Sequence, residues 1–173
     1  GIIGSSIAYH LARRGRSGDV IVVERDPTYA FAATPRSNGG IRQLLSLPEN
    51  IAMARYGLPF FPDFEAEMAV AGDPVPIGFR RQGYLFVSDQ GGHRQMEDNF
   101  RLQVANGVRA ERLDREGLHD RFPSLRTDDV ALAVHSPDDA WIDPYAALQG
   151  FRRKAFAARP ATWVFDTWRT RWW

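Results

Sequence analysis

The 173-residue chain has no cysteine, and Lys154 is the only lysine among its 22 basic residues. Without cysteine there is no disulfide, no thiolate metal site and no cofactor tethered through sulfur. The near-absence of lysine reads as the arginine bias of a GC-rich genome rather than as a binding surface. A net charge of +1 gives no electrostatic case for nucleic acid or an anionic membrane as partner. No apolar run approaches the roughly 20 residues that span a bilayer. Methionine is absent from position 1, where Gly1 already lies inside a motif, so the natural start is expected upstream and no targeting segment can be read. A cytoplasmic protein is the expectation. The 44% hydrophobic and 25% charged content is that of a soluble globular chain, long enough for one ordinary domain or pieces of two.

What is present begins at once. In "GIIGSSIAYHLARRG", Gly1, Gly4, Ala8, Leu11 and Gly15 follow the spacing of a turn and helix that hold a dinucleotide pyrophosphate. In such a turn the first glycine permits the sharp bend and the second lets backbone approach the phosphates. The third allows the helix to pack closely on a strand. Gly1 and Gly4 correspond to the second and third, and the phosphates belong at the positive end of the helix. Residues 5–14 read as that helix, with Gly15 where a C-terminal cap belongs. "DVIVVERD" follows as a buried parallel strand, and Glu24 closes it twenty residues after Gly4, the distance for a carboxylate accepting from ribose hydroxyls. An acid at that place favours FAD or NAD over NADP.

Further on, "TYAFAATPRSNGGIRQ" is a small-residue loop ending at an arginine. "SLPENIAMARYG" starts a helix, with Ser46 and Glu49 at capping-box spacing and Pro48 in its first turn. Gly57 and Pro59 should break it. From about Gly72 to Pro137 the texture is short strands and turns, in "GYLFVSD", "GVRAERLD" and "DVALAVHSP". "DREGLHDRFPSL" makes a short helix capped by Asp114. A last helix is capped by Asp143 with Pro144 at its first position, and "TWVFD" returns to strand.

Four stretches together resemble the FAD-dependent oxidoreductases of the D-amino-acid oxidase superfamily, nearest the branch of sarcosine oxidase, sarcosine and dimethylglycine dehydrogenases and glycine oxidase. They are "GIIGSSIAYHLARRG", "VIVVERD", "TPRSNGGIRQ" with "PENIAMA", and "RFPSLRTDDVALAVHSPDDAWIDPYAAL". The resemblance implies an α/β, Rossmann-like FAD-binding fold of the glutathione-reductase type, interrupted by a mostly β substrate-domain insertion and incomplete at both ends. The expected division is 1–71 for the FAD-binding part without its first strand, 72–140 for part of the substrate domain, and 141–173 for the return to the FAD-binding domain. It further implies that Gly1, Gly4 and Ser5 meet the FAD pyrophosphate, Glu24 the adenosine ribose, and Arg25 lies beside the adenine. Thr34, Arg36, Ser37, Asn38 and Gly39 would line the stretch from pyrophosphate to flavin, and Val164 would contact adenine through its backbone.

For Arg42 two readings stand. In sarcosine-oxidase-like proteins an arginine ending this loop holds the substrate carboxylate, a task suited to a bidentate guanidinium; otherwise it is a surface or phosphate-adjacent arginine. None of the four histidines lies in the first loop, where some relatives attach flavin, so the FAD is expected to be non-covalent. His10, His119 and His135 read as packing or surface residues. "PDD" at residues 137–139 reads as a turn with both carboxylates in solvent. No metal site and no catalytic residue is assigned. The implied activity is oxidation of the C–N bond of a small amino or N-methyl amino acid, with O2 or an electron carrier as acceptor. A 2-hydroxy-acid oxidase on the same fold, and a flavin-binding assembly or chaperone protein without turnover, are the alternatives. The tryptophan-rich end "ATWVFDTWRTRWW" suits a frame change, and the chain is expected to be a fragment that folds weakly and turns over little by itself.

Overall fold

The computed structural model describes residues 1–15, 19–158 and 162–165. In chain order the elements are α1 (Ile2–Arg13), β1 (Ile21–Glu24), β2 (Gly40–Ile41), α2 (Pro48–Gly57), α3 (Phe64–Glu67) and β3 (Tyr84–Ser88). They continue as α4 (His93–Ala105), β4 (Glu111–Leu113), α5 (Arg115–Arg121), β5 (Leu132–Ser136), β6 (Ala140–Trp141), α6 (Pro144–Ala158) and β7 (Thr162–Phe165). They form two compact units, residues 1–39, 62–78 and 142 onward in the first, and 40–61 with 79–141 in the second. The tryptophan-rich end beyond residue 165 lies outside the described residues. Among those described, no helix is long and apolar enough to cross a membrane.

In the first unit β1 and β7 run parallel, with Val22 opposite Trp163 and Val23 opposite Val164. The return strand "TWVF" therefore pairs directly with "IVVE". Helices α1 and α6 pack through small and aromatic side chains, Ala8, Tyr9, Phe151 and Ala155, all buried. The Tyr9 and Phe64 rings lie 5.6 and 5.1 Å from that of Phe151, the second pair edge to face, a geometry that adds about 0.5–1.5 kcal/mol to area burial. Tyr9 donates its hydroxyl hydrogen to Glu67. Burial, followed by that carboxylate, pushes the phenol up to about 12, so it stays a donor across the physiological range. Gly150 lets α6 approach this stack, because a Cβ there would sit 2.7 Å from Phe64 Cε1.

The caps expected at Asp114 and Asp143 are both made. Asp114 accepts from Gly117 N at 2.8 Å, and Asp143 Oδ1 accepts from Tyr145 N and Ala146 N at 2.8 and 3.0 Å. The cap at Ser46 is not made: Leu47 is the N-cap, extended at φ −128°, with no side-chain cap bond. Pro48 holds its predecessor out of helical geometry and itself opens the helix, leaving Ser46 one residue too early. Helix α2 ends at Gly57 and runs into a 3-10 turn, Leu58–Phe60, where Gly57 and Pro59 were expected to break it.

The second unit is built on the antiparallel sheet β3–β5–β4, with Phe86 opposite Val134 and Arg112 opposite Val134 from the other side. Its core is Leu44, Ile51, Val108 and Val134, joined by Tyr84, Phe86, Met96 and Phe100. Helix α4 lies in a stretch read as strands and turns. Its only buried residue is Gln103, and Met96 and Phe100 give it a thin apolar stripe, so the 3.6-residue period was masked by polar side chains.

Two outcomes follow from this packing. Replacing Gly150 by Ala should lower stability to urea, because overpacking of about 1–3 kcal/mol outweighs the helix-propensity gain of roughly 1 kcal/mol; a rise in the unfolding midpoint would contradict it. Asp143→Ala should cost about 1 kcal/mol through loss of the α6 cap, and an unchanged midpoint would show that the two Asp143 contacts contribute nothing.

Candidate functional site

In the first unit the chain brings together residues far apart in sequence around the start of α1. Gly1 is the N-cap and makes no side-chain cap bond of its own. Ile2 N donates to Thr34 Oγ1 at 3.3 Å, and a Cβ on Gly1 would stand 3.7 Å from the same oxygen. Gly4 seats the helix on β1, where a Cβ would lie 3.8 Å from Val22 Cγ1. That is ordinary contact, so the steric demand on Gly4 within the protein is mild. The first-turn N–H groups of a helix have no acceptor within it and carry its positive end.

Glu24 closes β1 beside this helix start. Its Oε2 lies 2.6 Å from Gly1 N, and its Oε1 accepts from Asp26 N at 3.4 Å. Glu24 is a carboxylate acceptor, 15% exposed, beside the backbone donors of the helix start. This pairing of a carboxylate with a helix start is the donor and acceptor set that a ribose and its pyrophosphate require, so the residues present fit FAD.

The remaining expected contacts spread along the following loop. Arg25 is exposed at the strand end. Arg36 is also exposed, its guanidinium 5.4 Å from the centre of the Phe31 ring. Ser37 Oγ accepts from Gly39 N at 3.1 Å, and Asn38 is exposed. Gly39 adopts a left-handed φ of +74°, and its carbonyl accepts from Ile142 N at 3.0 Å. Val164 is half-buried on the strand that pairs with β1. Ser5 differs from its neighbours: it is fully buried, and its hydroxyl donates back to Gly1 O at 3.2 Å.

The second unit holds Arg42. Its guanidinium carbon lies 5.6 Å from the Tyr84 ring centre and 5.4 Å from that of Phe86. These rings sit at alternate positions of β3 and so on one face of the sheet. Gly40 allows Tyr84 to come close, since a Cβ there would meet Tyr84 Cε2 at 2.8 Å. Arg42 is exposed, and among the described residues no ion pair engages it. It is a cation lying on an aromatic floor, without a carboxylate of its own. No local pattern in the sequence shows this floor, because Tyr84 and Phe86 lie more than forty positions downstream.

The turn at residues 137–139 departs from expectation. Asp138 does point outward, to Arg109 Nη2 at 2.9 Å, but Asp139 is fully buried. Both its oxygens accept from Gln43 N at 3.1 Å, and Oδ1 also accepts from Gln43 Nε2 at 3.1 Å. Burial raises this carboxyl above its usual range, against the opposing effect of the Gln43 hydrogen bonds. Two adjacent aspartates in a turn ordinarily face water; here β6 turns the second one inward. His135, buried beside Phe122 at 5.7 Å between ring centres, is a packing residue whose burial pushes its pKa down. His10 contacts the Tyr9 ring at 4.8 Å. Among the described residues no group of three or more His, Asp or Glu side chains could hold a metal ion.

Several known proteins are similar to this chain. The FAD-dependent oxidoreductase domain-containing protein 1 of Xenopus laevis is 40% identical over 162 residues, 91% of this chain and 32% of that protein. The 4-methylaminobutanoate oxidase (formaldehyde-forming) of Paenarthrobacter nicotinovorans is 31% identical over 146 residues, 83% of this chain and 17% of the enzyme. Among solved structures, the L-proline dehydrogenase of P. horikoshii superposes with a TM-score of 0.79 at 26% identity, over 96% of this chain and 42% of that one. The chain therefore spans about a third of the length of the first of these relatives. Residues 1–168 match the family described as FAD dependent oxidoreductase (DAO), and the chain belongs to that family.

Proposed function

We propose that this chain forms part of a flavoenzyme that oxidises the C–N bond of a small amino or N-methyl amino acid. In this reading the first unit holds non-covalent FAD and the second contributes to the substrate side. The start of α1, with Gly1 and Gly4, receives the pyrophosphate, and Glu24 accepts from the adenosine ribose. Thr34, Arg36, Ser37, Asn38 and Gly39 line the path to the flavin, with Arg25 and Val164 about the adenine. The buried hydroxyl of Ser5 already serves Gly1 O, so Ser5 contributes through its place in the helix.

Arg42 would hold the substrate carboxylate. The observation that carries this role is its guanidinium lying over Tyr84 and Phe86 with no acidic partner among the described residues. Stacking flattens the side chain on a hydrophobic floor and leaves its edge for a bidentate acceptor. When bound, FAD supplies the two-electron oxidant. The protein's share is to hold the carboxylate at one end of the substrate and so present the C–N bond in a fixed orientation. The amine becomes an imine, which water hydrolyses. O2 or an electron carrier takes the electrons onward. The Paenarthrobacter relative, named as an oxidase of a methylamino acid, supports this substrate class.

The protein expressed from its complete gene should carry flavin that acid or heat releases. Its visible absorption should bleach on anaerobic addition of an N-methyl amino acid or proline. Arg42→Ala should raise the substrate KM by roughly ten- to a hundredfold, the worth of a charged hydrogen-bonded contact of about 1.5–3 kcal/mol, with the flavin retained. Flavin that bleaches only with 2-hydroxy acids, or with no substrate at all, would contradict the reading and favour one of the two alternative activities.

A further inference from the structure

We infer that Asp139 is a positioning residue for Arg42, acting through the backbone of Gln43; this rests on the reading of Arg42 given above. Arg42 leaves β2 with only two paired residues behind it, Gly40 opposite Trp141 and Ile41 opposite Ala140. A two-residue strand is too short to fix the chain that follows it. The next residue is instead held by Asp139, whose two oxygens both lie 3.1 Å from Gln43 N and which also receives Gln43 Nε2. Both partners are buried, Gln43 at 7% exposure and Asp139 at 0%.

Asp139 is fixed in turn from its own backbone. Gly83 N donates to Asp139 O at 2.9 Å, and Gly83 immediately precedes Tyr84, the first ring of the floor. One residue thus ties together the segment that carries the guanidinium and the strand that carries the rings beneath it. A buried carboxylate is tolerated only with its donors in place, so the Gln43 backbone cannot shift without stranding a charge. Among the described residues no ion pair joins Asp139 to the guanidinium, and its effect on substrate passes through the Arg42 main chain. The neighbouring Asp138, paired with Arg109 at the surface, has no part in this.

The test uses the protein from its complete gene, with kinetics and hydrogen exchange read by mass spectrometry. In the wild type the peptide covering residues 41–44 should retain one slowly exchanging amide, that of Gln43, which is buried and hydrogen-bonded to Asp139. In Asp139→Ala that amide should exchange faster while residues 84–88 keep their protection. The KM for the N-methyl amino acid that bleaches the flavin should rise roughly tenfold or more, with kcat and flavin content retained. Asp139→Asn, which keeps one acceptor for Gln43, should recover part of both effects. If Asp139→Ala does not fold, Asp139→Asn against wild type reads the same two quantities.

Rapid exchange of the whole 41–44 peptide in the wild type overturns the proposal. So does an unchanged KM in the Asp139 variants when Arg42→Ala raises it. An equal fall in kcat, KM-independent and accompanied by loss of flavin, would mark Asp139 as structural only and also overturn it. If Arg42→Ala itself leaves KM unchanged, the carboxylate reading fails. The exchange data then still decide whether Asp139 holds the Gln43 backbone.

Discussion

A single buried carboxylate closes the second unit. Asp139 accepts three contacts from Gln43, 96 positions earlier in the chain, and no water-facing surface remains on it. Bare burial of such a charge would cost several kcal/mol, so the contact is obligatory once the segment folds. It seals β2 against β6 where two strand residues alone could not. The Arg42 side chain then emerges from a backbone held on both sides, by the β2–β6 pair before it and by Asp139 after it. The first unit is organised differently, by dispersion rather than charge. There the Phe151 ring, between Tyr9 and Phe64, joins α1 to α6 and so sets the start of α1 beside the end of β1.

Much of the first unit was legible because its signals are local. A glycine turn, a helix and a β-branched run ending in Glu24 each occupy a few residues, although the run expected to be buried leaves Ile21 and Val23 exposed. Helix caps were equally legible where the aspartate stood directly before the first turn, as at Asp114 and Asp143. Ser46 failed by one position, because the restriction that Pro48 places on Leu47 overrides the preference of a serine. Helix α4 went unread because it spends its one buried position on Gln103, a polar residue whose Nε2 donates to Leu45 O at 3.1 Å. Periodicity counts apolar residues, and this helix anchors itself with a hydrogen bond.

The same distinction runs through the candidate site. Arg42 could be picked out because it ends a small-residue loop, and Glu24 because it ends a strand at a fixed distance from Gly4. The Tyr84 and Phe86 floor, the glycine at position 40 that admits it, and the buried Asp139 depend on pairings between segments far apart in sequence. The β3–β5 and β2–β6 registers create those pairings, and no local pattern announces them. Asp139 was misjudged for a specific reason: "PDD" has the composition of a solvated turn, and only the inward rotation at the start of β6 separates its two acids.

The family assignment leads to one physical claim above the rest, that the start of α1 and Glu24 together receive the dinucleotide. Following backbone amide shifts by NMR as FAD is added to the isotopically labelled, flavin-stripped protein from its complete gene tests it most directly. Saturable shifts at Ile2, Ile3 and Gly4 and at the end of β1, absent when riboflavin replaces FAD, are the predicted result, since riboflavin lacks both pyrophosphate and adenosine. Shifts that avoid the start of α1, or that riboflavin reproduces there, would contradict it.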